Sequence, residues 1–107
     1  MTDTKDIQDF IDHEVKSNQI VLFMKGTKLF PQCGFSGRVV SILNTLGVEY
    51  VAHDVLQSER LRQGIKEYTG WPTIPQLYIN GEFVGGCDIV SEMAENGELQ
   101  TLLGQKQ

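Results

Sequence analysis

Cys33 is the residue in this sequence best suited to chemistry. It lies where a loop meets an amphipathic segment that begins near Gly34. At the start of a helix, unpaired N–H groups and the positive end of the helix dipole stabilise a thiolate. Lys25, just after a short apolar run, adds a second source of positive potential. An inert cysteine packed in the core is the alternative, but the neighbours Gln32 and Gly34 are not apolar. The pattern therefore predicts a reactive thiolate at Cys33.

The sequence leaves the partner of this thiol open. A C-x-x-C redox pair would have its second cysteine at the position that Ser36 occupies. Cys87 is the one other cysteine in the chain, and a disulfide with it requires Cα atoms within about 7 Å of each other. An external small thiol is the second candidate.

The elements that must position these residues follow from periodicity and turn signals. Asn80-Gly81 is a strong signal for a two-residue hairpin between two strands. Ser58 and Asp88 are suited to cap helices, and Gly47 and Gly70 to end them. The pattern predicts helices over 4–17, 34–46, 58–69 and from Asp88 onward, a last helical turn over 98–103, and strands over 20–24, 48–55, 74–79 and 82–85.

This order of elements predicts an α/β fold. A β-α-β unit followed by a helix and a hairpin gives a four-stranded mixed sheet flanked by helices, with an extra helix at the N-terminus. That layout is the thioredoxin-like fold.

Trp71-Pro72-Thr73-Ile74-Pro75 is the second informative stretch. In a thioredoxin-like sheet, a proline that opens the third strand is typically cis and lies opposite the reactive cysteine. The Ile74 backbone is then exposed to pair with an extended, peptide-like ligand. A trans proline at a strand start is the alternative, and Trp71 is interpreted as a packing residue.

Gly85-Gly86-Cys87-Asp88 is the third stretch. Its glycines allow a ligand to approach the backbone, and the helix that follows offers N–H groups to a carboxylate. A tight turn with an ordinary Asp88 cap is the alternative. Together with Lys25 and Arg62, which begin other elements, the stretch indicates a slot for a small peptide with two carboxylates and a thiol.

Size and charge narrow the classes of function. The 107 residues, with a net charge of −5, fit one domain spanning 1–107 and provide no basic patch for nucleic acid. The longest apolar run, 20–24, is too short to cross a membrane, and the first ten residues resemble no secretory signal. We therefore expect no nucleic-acid or membrane partner and a reducing, cytoplasmic setting, although a mature organellar protein would look the same.

Four blocks in register carry a resemblance to a known family. The blocks are Lys25-Gly26-Thr27, Pro31-Gln32-Cys33-Gly34-Phe35-Ser36, Trp71-Pro72-Thr73-Ile74-Pro75 and Gly85-Gly86-Cys87-Asp88. With them the chain resembles a CGFS-type monothiol glutaredoxin over about residues 6–104. Many members carry a proline where this chain has Lys28, which leaves the stiffness of the loop after Lys25 undetermined.

The resemblance implies glutathione binding, with Cys33 as the reactive thiol. It implies that Lys25 and Arg62 hold the glycyl carboxylate, that Ile74 pairs with the cysteinyl part, and that Cys87 and Asp88 receive the γ-glutamyl carboxylate.

The resemblance also implies a [2Fe–2S] cluster bridged by Cys33 of two chains and two glutathiones, in a homodimer that is a monomer without cluster. A BolA-like protein and cluster-accepting apoproteins are the implied partners. The alternative set of cluster ligands is Cys33 and Cys87 from each of two chains, without glutathione. Glutathione-dependent thiol-disulfide exchange through Cys33 is the alternative activity, and a Cys33–Cys87 disulfide that switches the carrier off is a further option.

Overall fold

The computed structural model describes residues 3–105, and their side chains from residue 6. A four-stranded sheet in the order β2-β1-β3-β4 forms its centre, with β1 parallel to β2 and the other two pairings antiparallel. The helices are α1 (Asp3–Ser17), α2 (Gly34–Leu46), α3 (Glu59–Thr69), α4 (Cys87–Asn96) and α5 (Glu98–Leu102), and the strands are β1 (Ile20–Met24), β2 (Val51–Asp54), β3 (Gln76–Ile79) and β4 (Glu82–Gly85). The predicted thioredoxin-like fold is confirmed.

The central strand β1 explains why both faces of the sheet are covered. All five of its residues are buried, as a continuous apolar run predicts for a strand with a layer on each side. Ile20, Leu22 and Met24 pack into one apolar cluster with residues of α2, α4 and α5, whereas Val21 and Phe23 pack into another with residues of α1 and α3. No helix within residues 3–105 is long and apolar enough to span a bilayer.

Turn chemistry sets most of the boundaries as predicted. Gly47 and Gly70 end α2 and α3 with φ of 72° and 75°, a conformation that costs glycine little. The Ser58 hydroxyl caps α3 by accepting from the Leu61 N–H at 3.1 Å. Asn80 and Gly81 both have positive φ in the β3–β4 hairpin, as a type I′ turn requires.

The limits of β2 and the start of β3 differ from the prediction, since β3 begins at Gln76 and not at residue 74. Strand β2 covers only Val51–Asp54, and a 3₁₀ helix over Val55–Gln57 follows it. The Asp54 side chain begins this turn by accepting from the Leu56 N–H.

The predicted Asp88 cap of α4 is wrong. The helix already begins at Cys87, with Gly86 as N-cap and no capping side chain, so Asp88 lies in its first turn. Strand β4 ends at Gly85, one residue before this N-cap. A Cβ at Gly85 would come within 2.7 Å of the Ile89 Cβ, so the turn has no room for a side chain there.

Candidate functional site

A cleft of about 480 Å³ lies between the start of α2, the segment before β3 and the start of α4. Five of the six residues predicted for the site line it: Lys25, Cys33, Ile74, Cys87 and Asp88. Arg62 is not among its lining residues. The three sequence stretches singled out above therefore meet at one place.

Cys33 lies at the entrance to α2 as its N-cap, in an extended conformation. The backbone N–H of Ser36 lowers the pKa of the Cys33 thiol most, and the N–H of Phe35, the Lys25 charge and the Ser36 hydroxyl lower it further. Partial burial opposes these contributions. The direction agrees with the predicted thiolate, and the helix N–H groups matter more than Lys25.

Ser36 has a structural role that the sequence interpretation missed. Its side chain is fully buried, and its hydroxyl accepts a hydrogen bond from the Lys25 N–H at 3.0 Å. The same hydroxyl makes the smallest of the contributions that lower the pKa of the Cys33 thiol. Ser36 thus ties the end of β1 to the start of α2 on either side of the thiol.

The loop between Lys25 and Cys33 is fixed at both ends. The Gln32 N–H donates to the Lys25 carbonyl at 2.8 Å, and the Gly26 N–H donates to Asp54 at 2.9 Å. Gly26 has a φ of 94°, and a Cβ there would lie 2.5 Å from the Phe30 carbonyl oxygen.

Lys28, the departure from the family pattern, anchors the middle of this loop. Its ammonium group donates to the Tyr50 carbonyl and lies 4.1 Å from the centre of the Tyr50 ring. The loop and the start of α2 leave three large apolar side chains exposed, Leu29 at 83%, Phe30 at 71% and Phe35 at 63%. These three residues, with Cys33, form what we call the thiol face.

The segment Trp71–Pro75, which we call the arch, forms one wall of the cleft. The Ile74–Pro75 peptide bond is cis, which confirms that prediction. Ile74 precedes the first paired residue of β3, Gln76, so its backbone lies outside both ladders of that strand. Trp71 packs against Phe83 with ring centres 5.9 Å apart and also lines the cleft.

The opposite wall begins at Gly86. A Cβ on Gly86 would lie 3.2 Å from the Pro75 carbonyl oxygen, so the glycine allows the arch and α4 to approach each other. Cys87 is a free thiol, 9% exposed, with its sulfur 4.0 Å from the Ser91 hydroxyl one turn along α4. Asp88 is exposed in the same turn.

Lys66 is the cation on α3 that lines the cleft. Arg62 lies one turn earlier on the same helix, partly exposed, with Glu59 3.9 Å away. Arg62 was predicted for the site and Lys66 was not, although the spacing i, i+4 places both on one helix face.

Side chains of the types that ligate metals do not cluster in the part of the chain that the structure describes. Residues 6–105 contain no group of three or more His, Cys, Asp or Glu side chains placed to hold a metal ion. At the thiol face, one chain offers the single sulfur of Cys33.

Comparison with known proteins gives a consistent result. Residues 20–84 match the family model described as Glutaredoxin. A relative from Synechocystis sp., named an uncharacterized monothiol glutaredoxin ycf64-like, is 61% identical over 93 residues, covering 87% of each chain. The solution structure of reduced apo GrxS14 from poplar has a TM-score of 0.84 and 53% identity, covering 97% of this chain and 95% of that one. The crystal structure of a buckwheat glutaredoxin–glutathione complex has a TM-score of 0.85 and 28% identity, covering 95% and 91%.

Proposed function

The chain belongs to the glutaredoxin family, and on that premise we propose that it binds glutathione beside Cys33 and that two chains carry a [2Fe–2S] cluster for transfer to other proteins. The observation that carries the proposal is a single accessible thiol with a lowered pKa at a helix N-terminus, in a cleft with cationic side chains and a second helix N-terminus. Ser36 stands where a second thiol would make an internal dithiol pair.

The cleft offers a partner to each part of glutathione. The N–H groups in the first turn of α4, at Cys87 and Asp88, have no partners within the helix and suit the γ-glutamyl carboxylate. The Ile74 backbone suits the cysteinyl amide groups. Lys25 suits the glycyl carboxylate, and Lys66 joins the predicted Arg62 as a candidate for the same contact. The buckwheat protein was solved with glutathione in complex.

The [2Fe–2S] cluster is what the protein would carry, and the number of thiolates it needs indicates how two chains would hold it. A [2Fe–2S] cluster usually takes four thiolates. One Cys33 from each of two chains and one glutathione sulfur from each of two glutathiones complete the set. The exposed apolar side chains of the thiol face would be covered when two chains meet there. The rival set with Cys87 is less suitable, because that thiol is nearly buried and lies against its own helix.

The lowered pKa of Cys33 supports a second candidate activity, the removal of glutathione from protein thiols. The Cys33 thiolate attacks the glutathione sulfur of a mixed disulfide and releases the protein thiolate. A second glutathione then attacks the Cys33 mixed disulfide, which yields glutathione disulfide and restores the Cys33 thiolate. Cys87 is the alternative resolving thiol, and its disulfide with Cys33 remains a prediction.

Recipients of the cluster belong to the same proposal. We expect apoproteins that accept clusters and a BolA-like protein as partners, in a reducing, cytoplasmic compartment. These expectations rest on the family resemblance.

Anaerobic reconstitution with iron and sulfide, with and without glutathione, tests the carrier proposal. We expect a coloured dimer that requires glutathione, persists in Cys87→Ser and is lost in Cys33→Ser, measured by visible absorption together with size-exclusion mass. A colourless monomer in every sample would contradict the carrier function. Turnover of a glutathionylated protein would then decide for the exchange activity.

A further inference from the structure

Gln76 is a buried polar residue that the proposed function does not yet use. It is the first residue of β3, its side chain is 0% exposed, and it follows the arch directly. A buried amide costs stability unless its donors and acceptor find partners. The partners of Gln76 therefore indicate what the side chain holds in place.

The Gln76 side-chain amide makes hydrogen bonds through both its nitrogen and its oxygen. Its Nε2 donates to the Trp71 carbonyl at 3.0 Å and to the Thr73 carbonyl at 3.3 Å, and its Oε1 accepts from the Tyr78 hydroxyl at 3.1 Å. Both amide hydrogens thus go to the arch. The acceptor goes to a tyrosine that is only 2% exposed.

The arch depends on this support because it has few hydrogen-bonding groups of its own. Pro72 and Pro75 have no N–H, and the segment contains no regular secondary structure. Tyr78, by contrast, is held firmly, with the rings of Phe23 and Phe83 centred 5.7 and 5.5 Å from its own. The Gln76 amide therefore connects an irregular ligand-facing segment to the rigid core of the sheet.

We propose that Gln76 is a positioning residue for glutathione: it sets the place of the arch, and with it the Ile74 backbone, from the side facing away from the cleft. This inference rests on the proposed glutathione site. Gln76 is not among the residues that line the cleft, so its effect should appear in the recognition of glutathione and not in the reactivity of the Cys33 thiol.

The test is the equilibrium in which the reduced protein exchanges with a disulfide to give a Cys33 mixed disulfide and a free thiol. All chains carry Cys87→Ser, and glutathione disulfide is compared with hydroxyethyl disulfide, which has no peptide part. Gln76→Met removes the two amide donors and the Oε1 acceptor at nearly the same volume. Gln63→Met makes the same change at an exposed site on α3 and serves as the matched control.

We expect Gln76→Met to lower the equilibrium constant for glutathione disulfide about tenfold, the effect of losing one to two hydrogen bonds. The constant for hydroxyethyl disulfide, the pH profile of Cys33 alkylation and the Gln63→Met values should not change. An unchanged glutathione constant in Gln76→Met, or an equal loss with both disulfides, would overturn the role of Gln76. A wild-type chain without preference for glutathione would instead overturn the glutathione site itself.

If Gln76→Met does not melt cooperatively, Gln76→Glu tests the same bonds in its place. The carboxylate retains an acceptor for Tyr78 but places negative charge against the carbonyls of Trp71 and Thr73, whereas protonation restores one donor. The glutathione constant of Gln76→Glu relative to wild type should therefore rise as pH falls. A glutathione constant for Gln76→Glu equal to that of wild type at every pH would refute the proposed bonding.

Discussion

Substitution of Ser36 separates two contributions that meet at the thiol. Its backbone N–H is the largest cause of the lowered pKa of Cys33, and its hydroxyl is the smallest. Ser36→Ala removes only the hydroxyl, whereas Ser36→Pro removes the hydroxyl and the N–H. The first-turn N–H groups have no partners within a helix, so the proline breaks no bond of that kind in α2.

Both variants should be destabilised by a similar mechanism. Each leaves the Lys25 N–H, now bonded to the Ser36 hydroxyl at 3.0 Å, without its partner. Lys25 is partly buried, and a donor that loses its partner away from water costs about 1–3 kcal/mol. At about 4–8 °C per kcal/mol for a chain of this size, Tm should fall by about 10 °C.

The pKa of Cys33 should respond differently in the two variants. We expect it to rise slightly in Ser36→Ala and much further toward an ordinary thiol value in Ser36→Pro. The assay is the pH dependence of iodoacetamide alkylation in a Cys87→Ser background, because the thiolate is the reactive form. If alanine raised the pKa as far as proline, or if proline left it unchanged, the assignment of the thiolate to the helix N–H groups would be wrong.

Two further predictions concern the loop after Lys25 and the packing of α3 against α1. Lys28→Met should speed hydrogen exchange of the 27–30 backbone amides about tenfold, because it removes a hydrogen bond and a cation–π contact to Tyr50. Lys16→Met, at an exposed position, is the control. Equal exchange rates in Lys28→Met and wild type would contradict an anchoring role for Lys28. Burial raises the pKa of Tyr68 to about 12 from an ordinary value of 10.0. The contribution of the Tyr68 hydroxyl to stability is therefore complete below about pH 10 and is lost as pH rises toward 12. Over that pH range, urea denaturation should show a smaller fall in the free energy of unfolding for Tyr68→Phe than for wild type. An equal fall in both proteins would count against the titration of Tyr68 as its cause.

Local signals predicted most of the fold because they act over a few residues. The apolar run of β1, the Asn80-Gly81 turn and the Ser58 cap each define their element without distant contacts. The limits of β2 do not follow from such signals. The Val48 N–H donates to the end of α2, at the Leu43 carbonyl, and the Tyr50 carbonyl accepts from Lys28, so the start of the predicted strand has partners other than β1.

The site was predictable where residue type alone decides and less so where the position of a residue along a helix decides. Cys33, Ile74 and Asp88 line the cleft because they lie at the ends of elements that meet there. The choice between Arg62 and Lys66 depends on which turn of α3 faces the cleft. Gln76 was missed because its partners are backbone carbonyls, which no sequence motif marks.

The surroundings of Cys33 also suggest how one sulfur serves both candidate functions. Its pKa is lowered chiefly by backbone N–H groups, which do not titrate in the physiological range, and the described lining of the cleft includes no histidine. Such a thiolate is ready to ligate iron or to attack a disulfide without a proton transfer at each step. Since both proposed functions would use the same sulfur, a chain that held a cluster would be unavailable for exchange.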